Sequence, residues 1–162
     1  PATRMSAVTA IQYTQDQMRT LTGVSVETVR HWRKTVPYLA SKTGKAARFT
    51  FADLLGLAVT NELVSSLGVH IATVSVGVDA LFRLLGTSSA LALNGSVAFV
   101  TATSATLCDI GPEGIGPAPT QPTLVIPLDP LIMRLQQHML PIVPTPSQAA
   151  LPFPPEAIRS RA

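Results

Sequence analysis

Gly23-Val24-Ser25 packs a helix stop and a helix start into three residues. The glycine supplies the permissive backbone of a sharp turn, and the serine hydroxyl can accept from the free N–H groups of a helix beginning at Val26. Upstream, Thr14 stands three residues before Gln17, a capping-box spacing that predicts a first helix from about Gln15 to Leu21. Two short helices must therefore meet at a tight angle, as in a helix-turn-helix.

Along the second helix Val29, Trp32 and Val36 recur at three- and four-residue spacing, so they share one face and should pack on the first helix. The opposite face carries Thr28, His31 and Lys34, with Arg30 and Arg33 on its flanks. Hydroxyls in the first turn and basic groups beyond it suit a helix that enters a major groove, where N-terminal residues read base edges and longer basic side chains hold phosphates. A solvated amphipathic helix is the plainer alternative. Pro37 is expected to end this helix. Lys42-Thr43-Gly44-Lys45-Ala46-Ala47-Arg48-Phe49 reads as a short hairpin with glycine at its tip, and Thr50 with Asp53 caps a third helix.

This order of elements resembles the MerR-type winged-helix DNA-binding domain. The likeness rests on Thr28-Val29-Arg30-His31-Trp32, where the family has Thr-hydrophobic-Arg-aromatic-aromatic, and on Ala47-Arg48-Phe49-Thr50, where its wing ends Arg-Arg-Tyr-Thr. It continues through Asp53-Leu54 and Leu63 to Leu67-Gly68-Val69. Two positions depart: His31 replaces an aromatic residue and Ala47 replaces the first wing arginine. The resemblance implies a transcriptional regulator that binds double-stranded DNA as a homodimer on paired or repeated half-sites, in the bacterial cytoplasm with the nucleoid. Thr28 and His31 are then the candidates for base edges, with Ser25 near the helix start; Arg30, Arg33 and Lys34 would hold phosphates, as would Lys42, Lys45 and Arg48 from the wing. Arg30 falls on the family's arginine. Two other readings stand beside this one: an excisionase-like architectural factor that bends DNA, and a ligand- or partner-sensing module tethered to DNA.

Charge follows the same division. Of the twelve Lys and Arg, eight lie at or before Arg48 against Asp16 and Glu27, a formal +6, and the remainder of the chain carries −3. Attraction to phosphates comes from such local clusters more than from the net total. The rest is unusually apolar, with 13% charged residues overall and a positive mean hydropathy, which suggests a subunit interface. No run approaches the roughly 18 apolar residues of a membrane span, and the start carries no signal-peptide pattern. The chain begins at Pro1 instead of Met, which reads as a processed or trimmed start.

Cys108 is the one cysteine, which fits a reducing compartment and reads as a buried structural residue. It has no ligand spacing with His31, His70 or His138, so no metal, cofactor or catalytic residue is expected.

In order, residues 1–12 read as a flexible arm with Arg4 on it, and residues 12–69 as the winged helix-turn-helix. A helix over 51–67 should pack under the first two, with Gly68 ending it. In a following helix Ile71, Val74, Val78, Leu81 and Leu85 form an apolar seam that could pair with its copy in a second subunit, with Gly77 weakening the helix and Gly86 stopping it. Thr87 to Ser96 reads as linker, Val97–Thr101, Ala105–Ile110 and Thr123–Leu128 as strands, and Gly111 to Pro122 as loop. Asp129-Pro130 starts a last helix with Leu131, Ile132, Leu135 and Met139 on its apolar stripe. The fold class is thus mainly α with a small β part: a winged helix-turn-helix, a helical segment, and a small α+β dimerisation unit within 70–140. Residues 141–162 read as a proline-rich tail, either disordered or an extended arm on a neighbouring subunit with Leu151, Phe153 and Ile158 as anchors, and a place where a protein partner could dock.

Overall fold

Side-chain caps open the first helices where the sequence puts them. In the computed structural model, which describes residues 11–112, 114 and 118–139, α1 (Gln15–Thr22) begins with Thr14 Oγ1 accepting from the Gln17 N–H at 3.2 Å. The Gln17 side chain accepts from the Thr14 N–H at 2.9 Å in return. Gly23, with φ 74°, turns the chain out of the helix, and α2 (Val26–Arg33) opens on Ser25, whose hydroxyl accepts from the Thr28 N–H. Met18, Leu21, Val24, Val29, Trp32 and Val36 are buried around this corner. The mainly α class and the helix-turn-helix are therefore as expected.

Pro37 does something other than expected. α2 has already ended at Lys34, and Pro37 is the first residue of a short helix α3 (Pro37–Ala40), where its missing N–H leaves nothing unsatisfied. The wing also differs. Lys42 to Arg48 forms turns with no strand ladder, closed by the Ala47 N–H on the Gly44 carbonyl. Phe49 pairs across to Tyr13 and not to the other arm, because its ring is fully buried in the core and pulls that end of the loop inward.

α4 (Phe51–Asn61) repeats the first cap: Thr50 accepts from the Asp53 N–H and Asp53 accepts from the Thr50 N–H. It widens into a π-helical turn, Glu62–Ser66, before Gly68 (φ 69°) ends it. α5 (Ile71–Thr87) runs past Gly86 instead of stopping there. Its seam of Ile71, Val74, Val78, Leu81 and Leu85 is buried within the single chain, packed on α4 and on the sheet. This corrects the expectation that the seam pairs with a second copy: periodicity marks which face is apolar, and here the chain's own α4 and sheet cover it. Where a linker was expected, Ser89 caps one helical turn, α6 (Ala90–Leu93), and Leu93 enters the core.

Three antiparallel strands follow, β1 (Ser96–Val100), β2 (Ala105–Asp109) and β3 (Leu124–Pro127), in the order β2-β1-β3. Alternation along β1 sends Ala98 and Val100 into the core and Phe99 to the outer face, where the register sets it between Thr106 and Val125. Cys108 is half-buried and opposite Val97, not sealed in the core as expected, since its strand carries it to that outer face. Pro127 sits at the end of an edge strand, where no ladder N–H is missed. α7 (Asp129–Met139) then returns to pack Leu131, Ile132 and Leu135 on α1 and α4. Asp129 Oδ1 accepts from the Gly95 N–H at 2.8 Å, tying the helix start to the entry of β1.

Gly77 is required by contact. Its N–H reaches the Ala102 carbonyl in the β1–β2 turn, and a Cβ there would collide with the Thr101 carbonyl oxygen. A residue read as weakening α5 is what lets the sheet lie against it. One continuous core runs from Met18 to Leu135. Arg4 and the proline-rich tail with Leu151, Phe153 and Ile158 lie outside the described residues.

Candidate nucleic-acid interface

One face of α2 is locked and the other is open. Val29 and Trp32 are at most 1% exposed, while Glu27, Arg30, His31 and Lys34, at i, i+3, i+4 and i+7, are all exposed and form one stripe. His31 and Lys34 therefore stand where the sequence put them, and Arg30 lies at the edge of the same exposed stripe. Thr28 is half-buried. Its hydroxyl lies 2.8 Å from that of Ser25, so the two share a hydrogen bond at the helix start.

Arg30 is held in place by an acidic neighbour that sequence reading passed over. Its Nη1 lies 2.6 Å from Glu27 Oε1, with both side chains largely exposed. The signal was visible as a Glu three residues before an Arg on the same face. Arg33 is half-buried, and its Nε and Nη2 are shut off from solvent without a hydrogen-bond partner among the described residues. Burial, and then the like charge of Arg30, lowers its pKa from the ordinary guanidinium value. Burying those N–H groups without an acceptor is costly.

The wing residues divide. Lys45 and Arg48 are exposed, and Arg48 Nη1 donates to the carbonyls of Ala47 and Lys45, which keeps its guanidinium against the loop. Lys42 is turned inward. Its ammonium lies 3.1 Å from Asp53 Oδ2, donates to the Arg48 carbonyl at 3.0 Å, and stands over the Tyr38 ring. The fold thus leaves Arg30, His31 and Lys34 open on α2 and Lys45 and Arg48 open on the loop, and ties the Lys42 ammonium inward. Ala47 is buried, so the position of the family's first wing arginine faces inward here.

What Lys42 supports is a cluster around Tyr38. The phenol donates to Asp53 Oδ1 at 2.6 Å, and the Tyr38 backbone N–H donates to Asp79 Oδ1 at 2.7 Å. The ring stacks on Phe82 at 5.1 Å and 11°. Asp79 also accepts from Arg83, and Asp53 is 1% exposed with every contact made by a donor. Burial foremost, then the hydrogen bond to Asp53, raises the Tyr38 pKa above the ordinary phenol range. The cluster bolts α3, and with it the end of α2, to α4 and α5.

In the C-terminal half, Phe99, Thr106, Cys108, Gln121 and Thr123 line a shallow pocket of about 270 Å³ on the outer sheet face. Among the described residues no three His, Cys, Asp or Glu gather as a metal cluster would require, and no helix is long and apolar enough to cross a membrane.

Residues 13–80 match the family described as MerR HTH family regulatory protein. No curated protein and no solved structure gives a significant match.

Proposed function

With residues 13–80 forming a MerR-type helix-turn-helix segment, we propose that the protein is a sequence-specific transcriptional regulator that binds double-stranded DNA as a homodimer on paired or repeated half-sites. The observation that carries this reading is the open stripe of α2: Arg30, His31 and Lys34 project from a helix whose other face is pinned by Val29 and Trp32. A helix so fixed can enter a major groove without rearranging.

Within this reading His31 and Arg30 face base edges, with Ser25 and Thr28 at the helix start. Arg33, Lys34, Lys45 and Arg48 hold phosphates. Lys42 acts on the fold and not on DNA, because its ammonium is engaged by Asp53. A homodimer needs a surface other than the α5 seam, which the chain has already covered.

The test is selection and sequencing of duplexes bound by the full-length protein, repeated at several salt concentrations. Enriched half-sites spaced by about 10 base pairs support the dimeric regulator. Weak binding that shows no sequence enrichment at physiological salt overturns it. Sedimentation of the free protein reads the subunit number independently.

A further inference from the structure

We propose that Glu27 and Arg30 act as one reading unit that selects a guanine with a cytosine beside it, and this rests on the DNA-binding reading above. Glu27 lies in the first turn of α2, the part of a recognition helix that reaches base edges, and Arg30 stands one turn further along the same exposed stripe. Only Nη1 of Arg30 is engaged, by Oε1 of Glu27. Among the described residues the Nε and Nη2 edge of the guanidinium and Oε2 of the carboxylate take part in no hydrogen bond.

Those free edges match two base edges. Guanine presents two acceptors in the major groove, O6 and N7, which the two remaining N–H directions of an arginine fork satisfy together. Cytosine presents a donor there, its N4 amino group, which a carboxylate oxygen accepts. A carboxylate cannot accept from guanine O6 or N7 or from thymine O4, so Glu27 excludes those bases at its position, and the adenine N7 acceptor beside N6 repels it where cytosine N4 does not. The ion pair gives the unit its orientation. As an exposed pair three residues apart it contributes little to stability, and the first-turn position of Glu27 suits the helix dipole without using Oε2. A carboxylate facing phosphates weakens binding to every sequence alike; one facing a cytosine raises discrimination instead.

The experiment uses the full-length protein, wild type and Glu27→Gln, on the selected duplex and on the same duplex with the proposed C·G pair changed to T·A. Wild type should lose affinity about tenfold on the changed duplex, the discrimination of a good base contact. Glu27→Gln, whose amide both donates and accepts, should lose less than about twofold and bind unrelated DNA more tightly than wild type does. Arg30→Lys, which keeps the charge but not the fork, should lose the guanine preference with the salt dependence unchanged. The inference is overturned if Glu27→Gln keeps the wild-type discrimination, or if its affinity falls equally on both duplexes, as a purely structural role would give. Wild type selecting a site without this G and C also overturns it while the regulator reading stands, whereas wild type selecting no site overturns both.

Discussion

Two helices in this chain begin with the same device and end up in opposite circumstances. Thr14 with Gln17 opens α1 at the surface, and Thr50 with Asp53 opens α4 in the core. Locally the two boxes match, each with a hydroxyl and a side-chain oxygen exchanging backbone N–H groups. The carboxylate of the second box also receives the Tyr38 phenol and the Lys42 ammonium, while Gln17 is exposed. The same three-residue grammar is thus a cap in one place and a junction between two helices and a loop in the other. What differs is burial, which removes water as the alternative partner.

That contrast can be broken most strongly at the buried box. Asp53→Ala leaves the Lys42 charge, the Tyr38 phenol and the Thr50 N–H without their acceptor and should cost about 3–5 kcal/mol in denaturant unfolding. A loss below about 1 kcal/mol would mean that water replaces all three. Next comes Lys42→Ala, expected to cost about 1–3 kcal/mol because its partner is buried although its own stem is partly exposed. The same substitution should leave the salt slope of DNA binding unchanged, whereas Lys45→Ala should lower that slope by about one and leave stability within about 0.5 kcal/mol. If Lys42→Ala changes the slope, its side chain reaches DNA.

Tyr38→Phe removes one hydrogen bond and should cost about 1–2 kcal/mol. It also carries a pH signature. The folded pKa of Tyr38 is raised, so its contribution is complete below the unfolded value of about 10 and is lost as pH rises toward the folded value. Wild type should therefore lose stability above about pH 10 more steeply than Tyr38→Phe does. The smallest effect belongs to the exposed box: Thr14→Ala should cost about 0.5–1 kcal/mol, seen as a small shift in the unfolding midpoint.

The boxes also show how far sequence carried. Both caps were readable because their partners lie three residues apart. So were the turn at Gly23, the face of Val29 and Trp32, and three strands placed within a residue or two. The junction at Asp53 was not, because Tyr38 and Lys42 arrive through the tertiary fold. For the same reason Lys42 was grouped with the wing cations, since a basic residue in a loop reads the same whether its ammonium meets solvent or a buried carboxylate. Glu27 was overlooked by the opposite error. A basic face was read by its majority sign, although the spacing to Arg30 was in plain view. The α5 seam was found correctly and assigned the wrong partner, because α4 and the sheet that cover it meet it only through the tertiary fold.

The bare backbone at Gly77 has a mechanical consequence. With no side chain between them, helix and turn touch main chain to main chain, and such a joint has almost no slack. Asp79 and Phe82, which grip Tyr38, lie two and five residues further along the same rod, a span of roughly 8 Å at 1.5 Å per residue. A load on the sheet at Thr101 is therefore delivered through one stiff strut to α3, the helix that follows α2 in the chain.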